Sequence, residues 1–328
     1  MRRVLLCAPL ALLGDAAARP SPSANEPNAL SAAASDAAAV GASAWAPSLG
    51  SLLAAADSHS PQQLIFLDRH IEKNGGGSMS YAMHASAECG ARTLGYSILE
   101  KEWSQLALDL ANGSTVVCID AHSPVPDDWL QRARRVAAAA TPPARLLTTL
   151  RVRSPPAHYR SFYAWDQQPR MDHGWSPRIS LVEWVAQTPD LQAGILNHSY
   201  YAEQAQHRQL ATTAPLSDDA CEALLETARS VDLLTTTEAI GEMWPLLRRL
   251  TGVALPAADV HEPPKIFTDN PTPVHAARLA EDELDRATRR VAPCDWRLYE
   301  LAQARTRELL DAWRAVGGRG GGGAPPQR

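Results

Sequence analysis

The chain has 328 residues, 45% of them hydrophobic and 20% charged, with a formal net charge of -5 at pH 7. That composition belongs to a globular protein long enough for one large domain or two small ones. The negative balance excludes the global basic field expected of a nucleic-acid-binding protein. It also gives no strong steering toward a polyanionic polysaccharide, although basic residues cluster at Arg132, Arg134 and Arg135 and again at Arg145, Arg151 and Arg153.

The N-terminus reads as a targeting segment. Arg2-Arg3 is a short positive region, Val4 to Leu13 a short apolar core, and Ala16-Ala17-Ala18 a small-residue cleavage site. Residues 1–18 are therefore expected to be a signal peptide, the apolar run being too short to span a bilayer as a helix. An uncleaved anchor that tethers the chain to a membrane, and an organellar transit peptide, are the alternatives. Residues 19–60, rich in Ala, Ser and Pro, are expected to form a disordered stem.

The folded domain is expected over residues 61–316. Leu64-Ile65-Phe66-Leu67 reads as a buried strand, and Met79 to Cys89 as a helix. Between them lies His70-Ile71-Glu72-Lys73-Asn74-Gly75-Gly76-Gly77-Ser78. A strand, a glycine-rich turn holding a lysine, then a helix N-terminus is a physical solution for gripping phosphate or sulfate. Glycines let backbone N–H groups approach the anion, the helix dipole favours negative charge, and lysine and serine add donors. Lys73 is one of only three lysines, with Lys101 and Lys265, beside 28 arginines, which fits a point-charge role.

Strand-like runs then alternate with helical stretches: Thr93–Ile98, a helix around Trp103–Leu110, Thr115–Ile119, a helix at Asp127–Ala139, and Leu146–Leu150. This alternation predicts an α/β fold, a P-loop-like parallel sheet with helices on both faces, whose ligands bind at the carboxyl ends of the strands. After Leu150 come Arg151-Val152-Arg153-Ser154-Pro155 and then Pro156 to Tyr163, where a guanidinium fork and a hydroxyl suit a further phosphate. Later stretches, Val231–Glu238 with Met243–Leu250 and Asp295–Ala302, read as core packing. Residues 317–328 read as a flexible Gly-rich tail. Cys89, Cys118, Cys221 and Cys294 allow two disulfides in three connectivities, with Cys118 equally readable as a free buried thiol. Asn112-Gly113-Ser114 and Asn197-His198-Ser199 are glycosylation sequons.

A nucleoside-triphosphate P-loop places its lysine after the glycines; here it comes first. That order resembles the 5′-phosphosulfate loop of Golgi carbohydrate sulfotransferases, in the heparan sulfate 2-O- and 6-O- branch, which reads H-I-P-K-T-G-G-T-S. His70, Ile71, Lys73, Gly75, Gly76 and Ser78 match it; Glu72, Asn74 and Gly77 depart from it. Arg153, Pro155, Ser161 and Tyr163 match the same family's R-D-P-x-x-R-x-x-S-x-Y, with Ser154 and His158 as departures; Arg151 is an alternative first arginine that breaks the spacing to Ser161. The late stretches resemble the family's V-G-L-T-E strand and D-x-x-L-Y-x-x-A helix, so the resemblance covers about residues 62–312.

The resemblance implies a sulfotransferase fold and transfer of a sulfuryl group from 3′-phosphoadenosine 5′-phosphosulfate to a hydroxyl of an oligosaccharide or polysaccharide in the Golgi lumen, without a metal. Secreted and organellar locations are the alternatives. Lys73 would neutralise the leaving phosphate; Asn74, Gly75, Gly76, Gly77 and Ser78 would hold the 5′-phosphosulfate; Arg153 and Ser161 would hold the 3′-phosphate. His122 is the expected general base, with Asp120, Glu102 and His173 behind it; His70 is expected to be structural, and Lys265 lies where the family has a loop over the donor. Two rivals stand beside this reading. One is a nucleotide phosphotransferase using Asp120 as a Mg²⁺ ligand. The other is a non-catalytic glycan-binding protein, in which Glu72 pairs with Lys73 and weakens its hold on a donor.

Overall fold

The computed structural model describes residues 47–57, 63–89, 100–113, 115–121, 128–174, 178–197, 215–255 and 281–317. Four strands, β1 (Leu64–Arg69), β2 (Val116–Ala121), β3 (Arg145–Val152) and β4 (Leu233–Thr236), form one all-parallel sheet in the order β2-β1-β3-β4. Register aligns Leu64 with Val116 and Arg145, and Thr149 with Leu233, so all four strands end at the same edge. The connection leaving β1 for β2 runs to one side and β3 lies on the other. The switch in strand order therefore falls between β1 and β3, the place where sheets of this kind bind their ligands at the carboxyl ends.

Because side chains alternate across a strand, the apolar runs feed two cores. Ile65, Leu67, Val117, Ile119, Leu150 and Val152 face one side with α3 (Glu100–Ala111), α4 (Trp129–Ala139), α5 (Pro155–Phe162), α7 (Leu181–Gln187), α8 (Leu191–Leu196) and α9 (Asp218–Arg229). Leu64, Phe66, Cys118, Leu147 and Leu233 face the other, with α1 (Leu49–Asp57), α2 (Gly76–Ala85) and α10 (Ile240–Thr251). The fold is thus α/β with a parallel sheet covered on both faces. A π-helical turn (Tyr163–Gln167) and α6 (Gln168–Asp172) extend α5; α11 (Glu281–Val291) and the long α12 (Pro293–Ala315) close the chain.

Two boundaries differ from the sequence expectation. α1 lies inside the stretch read as disordered stem: Leu49 and Leu52 are buried in the second core, so the folded part begins by about residue 47. α2 stops at Ala85 rather than Cys89, because Ser86 turns to extended backbone and donates its N–H to Met83 O. The expected strand at 93–98 falls outside the described residues. The cysteines pair as Cys89–Cys118 and Cys221–Cys294, so Cys118 is not a free thiol.

Candidate functional site

The chain leaves β1 at His70, whose N–H donates to Ala121 O at the end of β2 (2.9 Å). Before α2 begins, the backbone enters the left-handed region twice, at Lys73 (φ 67°) and Gly75 (φ 76°). Gly75 has to be glycine on two counts: its positive φ, and a Cβ there would lie 3.3 Å from Thr237 Cγ2. A left-handed lysine costs roughly 1–2 kcal/mol and persists only where its surroundings hold it.

The loop is held from behind. Three successive carbonyls accept side-chain donors: Glu72 O from His158 Nε2 (2.9 Å), Lys73 O from Arg153 Nη1 (3.0 Å), and Asn74 O from Arg151 Nε (3.3 Å) and Thr237 Oγ1 (3.2 Å). In a trans peptide the N–H points opposite to the C=O. Drawing the Glu72 and Asn74 carbonyls inward therefore turns the N–H groups of Lys73 and Gly75 the other way, while Asn74 N–H is given to Ile71 O (3.1 Å). First-turn N–H groups of a helix have no intrahelical acceptor, which adds those of Gly76 and Gly77. Ser78 N–H turns back to Gly75 O (3.2 Å). The result is a row of backbone donors at a helix dipole's positive end, an arrangement suited to an anion.

Two cations lie at this loop, Lys73 within it and Arg153 bonded to its Lys73 carbonyl. The Lys73 ammonium has its pKa lowered first by burial and then by Arg153. Lys73 Nζ sits 5.7 Å from the centre of the Trp165 ring, within cation–π range. Trp165 is 39% exposed and stands edge-on to Phe162 (5.2 Å) in the π-helical turn. Arg153 is pushed down by burial and lifted by Glu238, whose Oε1 also accepts the Ser154 N–H (3.0 Å).

Arg151 is committed elsewhere. Its guanidinium forks onto Asp68 (2.6 and 2.7 Å), Thr149 Oγ1 donates to the same carboxylate (2.5 Å), and both charged side chains are buried. A buried bidentate pair of this kind has no fork left for a ligand. Both arginines weighed from the sequence touch the loop, but Arg151 spends its fork on Asp68, whereas Arg153 bonds Lys73 O.

Other sequence candidates are placed differently from expectation. The Asn74 side chain does not face the anion row: it is 1% exposed, and its Nδ2 donates to Arg151 O (3.2 Å) and Gln192 Oε1 (2.7 Å). Ser161 lies in the last turn of α5, not at a helix N-terminus. His158, at the family's second arginine, is fully buried and its pKa is depressed to about 3 by burial, so the neutral imidazole serves as donor to Glu72 O. His70 Nδ1 is 3.3 Å from Asp120 Oδ1, which couples two residues at the ends of β1 and β2. His173 is exposed at the end of α6, and Glu102 lies on α3. His122 and Lys265 fall outside the described residues.

The late stretches do more than pack. Glu238 reaches the Arg153–Ser154 segment, and Asp295 accepts the N–H groups of Gln192 (3.1 Å) and Ala193 (2.8 Å) at the start of α8. Burial, then the neighbouring Asp190, raises the Asp295 pKa to about 8. Asp190 in turn accepts the N–H groups of Cys294 (2.8 Å) and Asp295 (3.3 Å) at the start of α12. Gln192, Trp165 and Asp68 carry no sequence signal of their own; each is recruited by tertiary contact. Comparisons with protein-family models, curated proteins and solved structures find no match to this chain.

Proposed function

We propose that the chain is a carbohydrate O-sulfotransferase of P-loop-like fold that uses 3′-phosphoadenosine 5′-phosphosulfate as donor. The observation that carries this reading is the meeting of Lys73 and Arg153 at a loop of backbone donors, at the carboxyl ends of β1 and β3. Burial and then proximity to Arg153 depress Lys73, which a bound anion would offset. The loop takes the 5′-phosphosulfate on the N–H groups of Lys73, Gly75, Gly76 and Gly77 with Ser78. Arg153, at the next strand end, takes the 3′-phosphate with Ser161. Asn74 acts by shaping the loop rather than by touching the donor.

The step is an in-line displacement. The acceptor oxygen forms a new bond to sulfur while the bond from sulfur to the bridging 5′-phosphate oxygen breaks. Lys73 neutralises the charge left on that oxygen, and the acceptor's proton passes to a base. Positioning and charge stabilisation supply most of the catalysis in such transfers. His122, the residue after β2, is assigned the base, with its imidazole suited to proton transfer near neutral pH. Trp165 offers a flat apolar face beside Lys73 on which a sugar ring can lie. The segment beyond it lines a cleft of about 750 Å³, with Tyr163, Met171, Arg178 and Glu283 on its walls. Two disulfides support an oxidising, secretory setting such as the Golgi lumen.

The test is a thermal-shift titration of the full chain with adenosine 3′,5′-bisphosphate and with Mg-ATP, repeated on Arg153→Ala. Binding raises the melting temperature by mass action. The expected result is stabilisation by the bisphosphate alone, lost in the variant. A shift with Mg-ATP alone establishes the phosphotransferase reading, and no shift with either sinks the donor site altogether.

A further inference from the structure

From the hydrogen bonds around Gln192 we infer that this residue is a clamp between the two phosphate subsites, making them bind one doubly anionic nucleotide cooperatively; the inference rests on the donor reading above. Gln192 is the second residue of α8 and is 0% exposed. Its Oε1 accepts from Asn74 Nδ2 (2.7 Å), in the 5′-phosphosulfate loop, and from Arg153 N–H (3.0 Å), in the 3′-phosphate arm. Its Nε2 donates to Arg153 O (2.9 Å). One amide thus uses both ends, with three bonds to two segments, the loop at Asn74 and the chain after β3 at Arg153.

The clamp itself is fixed. Gln192 N–H and Ala193 N–H are both held by Asp295, so the start of α8 cannot shift without leaving that buried carboxylate. Arg153 then closes a second connection, because its Nη1 bonds Lys73 O while its backbone is gripped by Gln192. A 5′-phosphosulfate that orders the loop therefore orders Asn74, Gln192 and the Arg153 backbone in turn. A 3′-phosphate on Arg153 works back along the same bonds. Such coupling is reciprocal, and its usual size is about 5- to 150-fold in affinity. The ligand that gains from it carries anions at both ends of one nucleoside. A molecule with a phosphate at only one end gains nothing, which gives the clamp a role in donor selection.

The experiment measures dissociation constants of the full chain for adenosine 3′,5′-bisphosphate, adenosine 5′-phosphate and adenosine 3′-phosphate, in the wild type, Gln192→Leu, Asn74→Ala and the double variant. Gln192→Leu is expected to weaken the bisphosphate about tenfold or more, and each monophosphate by less than about threefold. Asn74→Ala should repeat the pattern from the loop side and add little in the double variant, since both break one connection. Asn74→Ala carries the test alone should Gln192→Leu fail to fold. Equal losses on all three ligands would show a merely structural residue, and an unchanged bisphosphate affinity would remove the coupling; either overturns the clamp. A wild-type chain that binds none of the three overturns the donor reading instead, and the clamp with it.

Discussion

On the donor reading proposed above, Lys73 weakens the ligand-free protein and serves the bound one. Its pKa is lowered, first by burial and then by Arg153. The folded chain therefore binds fewer protons than the unfolded chain between the lowered value and 10.5. Stability rises with pH across that window, and below it the charged ammonium is a net cost to the fold. A bound anion reverses the balance by favouring the ammonium. Two results with opposite signs follow. Lys73→Met should raise the melting temperature of the ligand-free chain, yet lose about 2 kcal/mol of bisphosphate affinity, the scale of a charge-assisted hydrogen bond. Calorimetry at alkaline pH should show proton uptake on binding, with affinity falling as pH climbs through the lowered Lys73 pKa. Lys73→Arg should push that limb to higher pH. Proton-neutral binding at every pH, with Lys73→Met unaltered in affinity, would leave Lys73 outside the site.

At the scale of elements, the site is a meeting of strand ends and helix starts, and the disulfides fix which ones meet. Cys221–Cys294 ties α9 to the first turn of α12, where the Cys294 N–H bonds Asp190; Cys89–Cys118 ties the chain after α2 to the middle of β2. Sequence separations of 73 and 29 make the loop-entropy contribution about 4.4 kcal/mol for the first and about 3.6 kcal/mol for the second. Replacing Cys221 and Cys294 by Ala should thus lower the denaturation midpoint somewhat more than replacing Cys89 and Cys118, as read by urea titration without reductant. The reverse order would mean that the unfolded chain keeps structure around α9. These elements also show what a sequence can and cannot tell. β1, β2 and β3 were legible because strands buried on both faces are continuous apolar runs. The loop was legible because glycines beside a lysine have a local physical meaning. Sheet order, the cysteine pairing and α1 were not. Four fully buried strands look alike in sequence, and a short Ala-rich helix is recognisable only once it has a core to cover. Spacing alone favours Arg153 over Arg151; what sequence cannot show is Asp68, 83 positions from Arg151, which takes the Arg151 fork. Asn74 read as a loop donor because nothing local reveals Gln192, 118 positions on.

At the scale of the whole molecule, positive charge is abundant, and among the described residues much of it is paired. The 31 basic residues are almost all arginine, and many pair with nearby carboxylates: Arg132 and Arg135 with Asp128, Arg170 with Asp166, Arg229 and Arg297 with Glu222, Arg289 with Asp285, Arg314 with Glu242 and Asp311. Exposed pairs of this kind contribute little to stability. Their effect is electrostatic: they cancel the field that a long polyanion would follow, within a net charge of -5. Arg153 and Lys73 differ because they lie beside backbone donors and are partly withdrawn from water, where salt screens less. The molecule should therefore bind a compact anion well and an extended one poorly. On a heparin column the full chain should elute below physiological ionic strength, about 0.15 M. Bisphosphate affinity should change only modestly over the same salt range, because the charges in the site are less screened than those on the surface. Retention far above that salt, undiminished in Lys73→Met and Arg153→Ala, would reveal a basic track separate from the loop. In that case long anionic polysaccharides would bind along that track rather than at the loop.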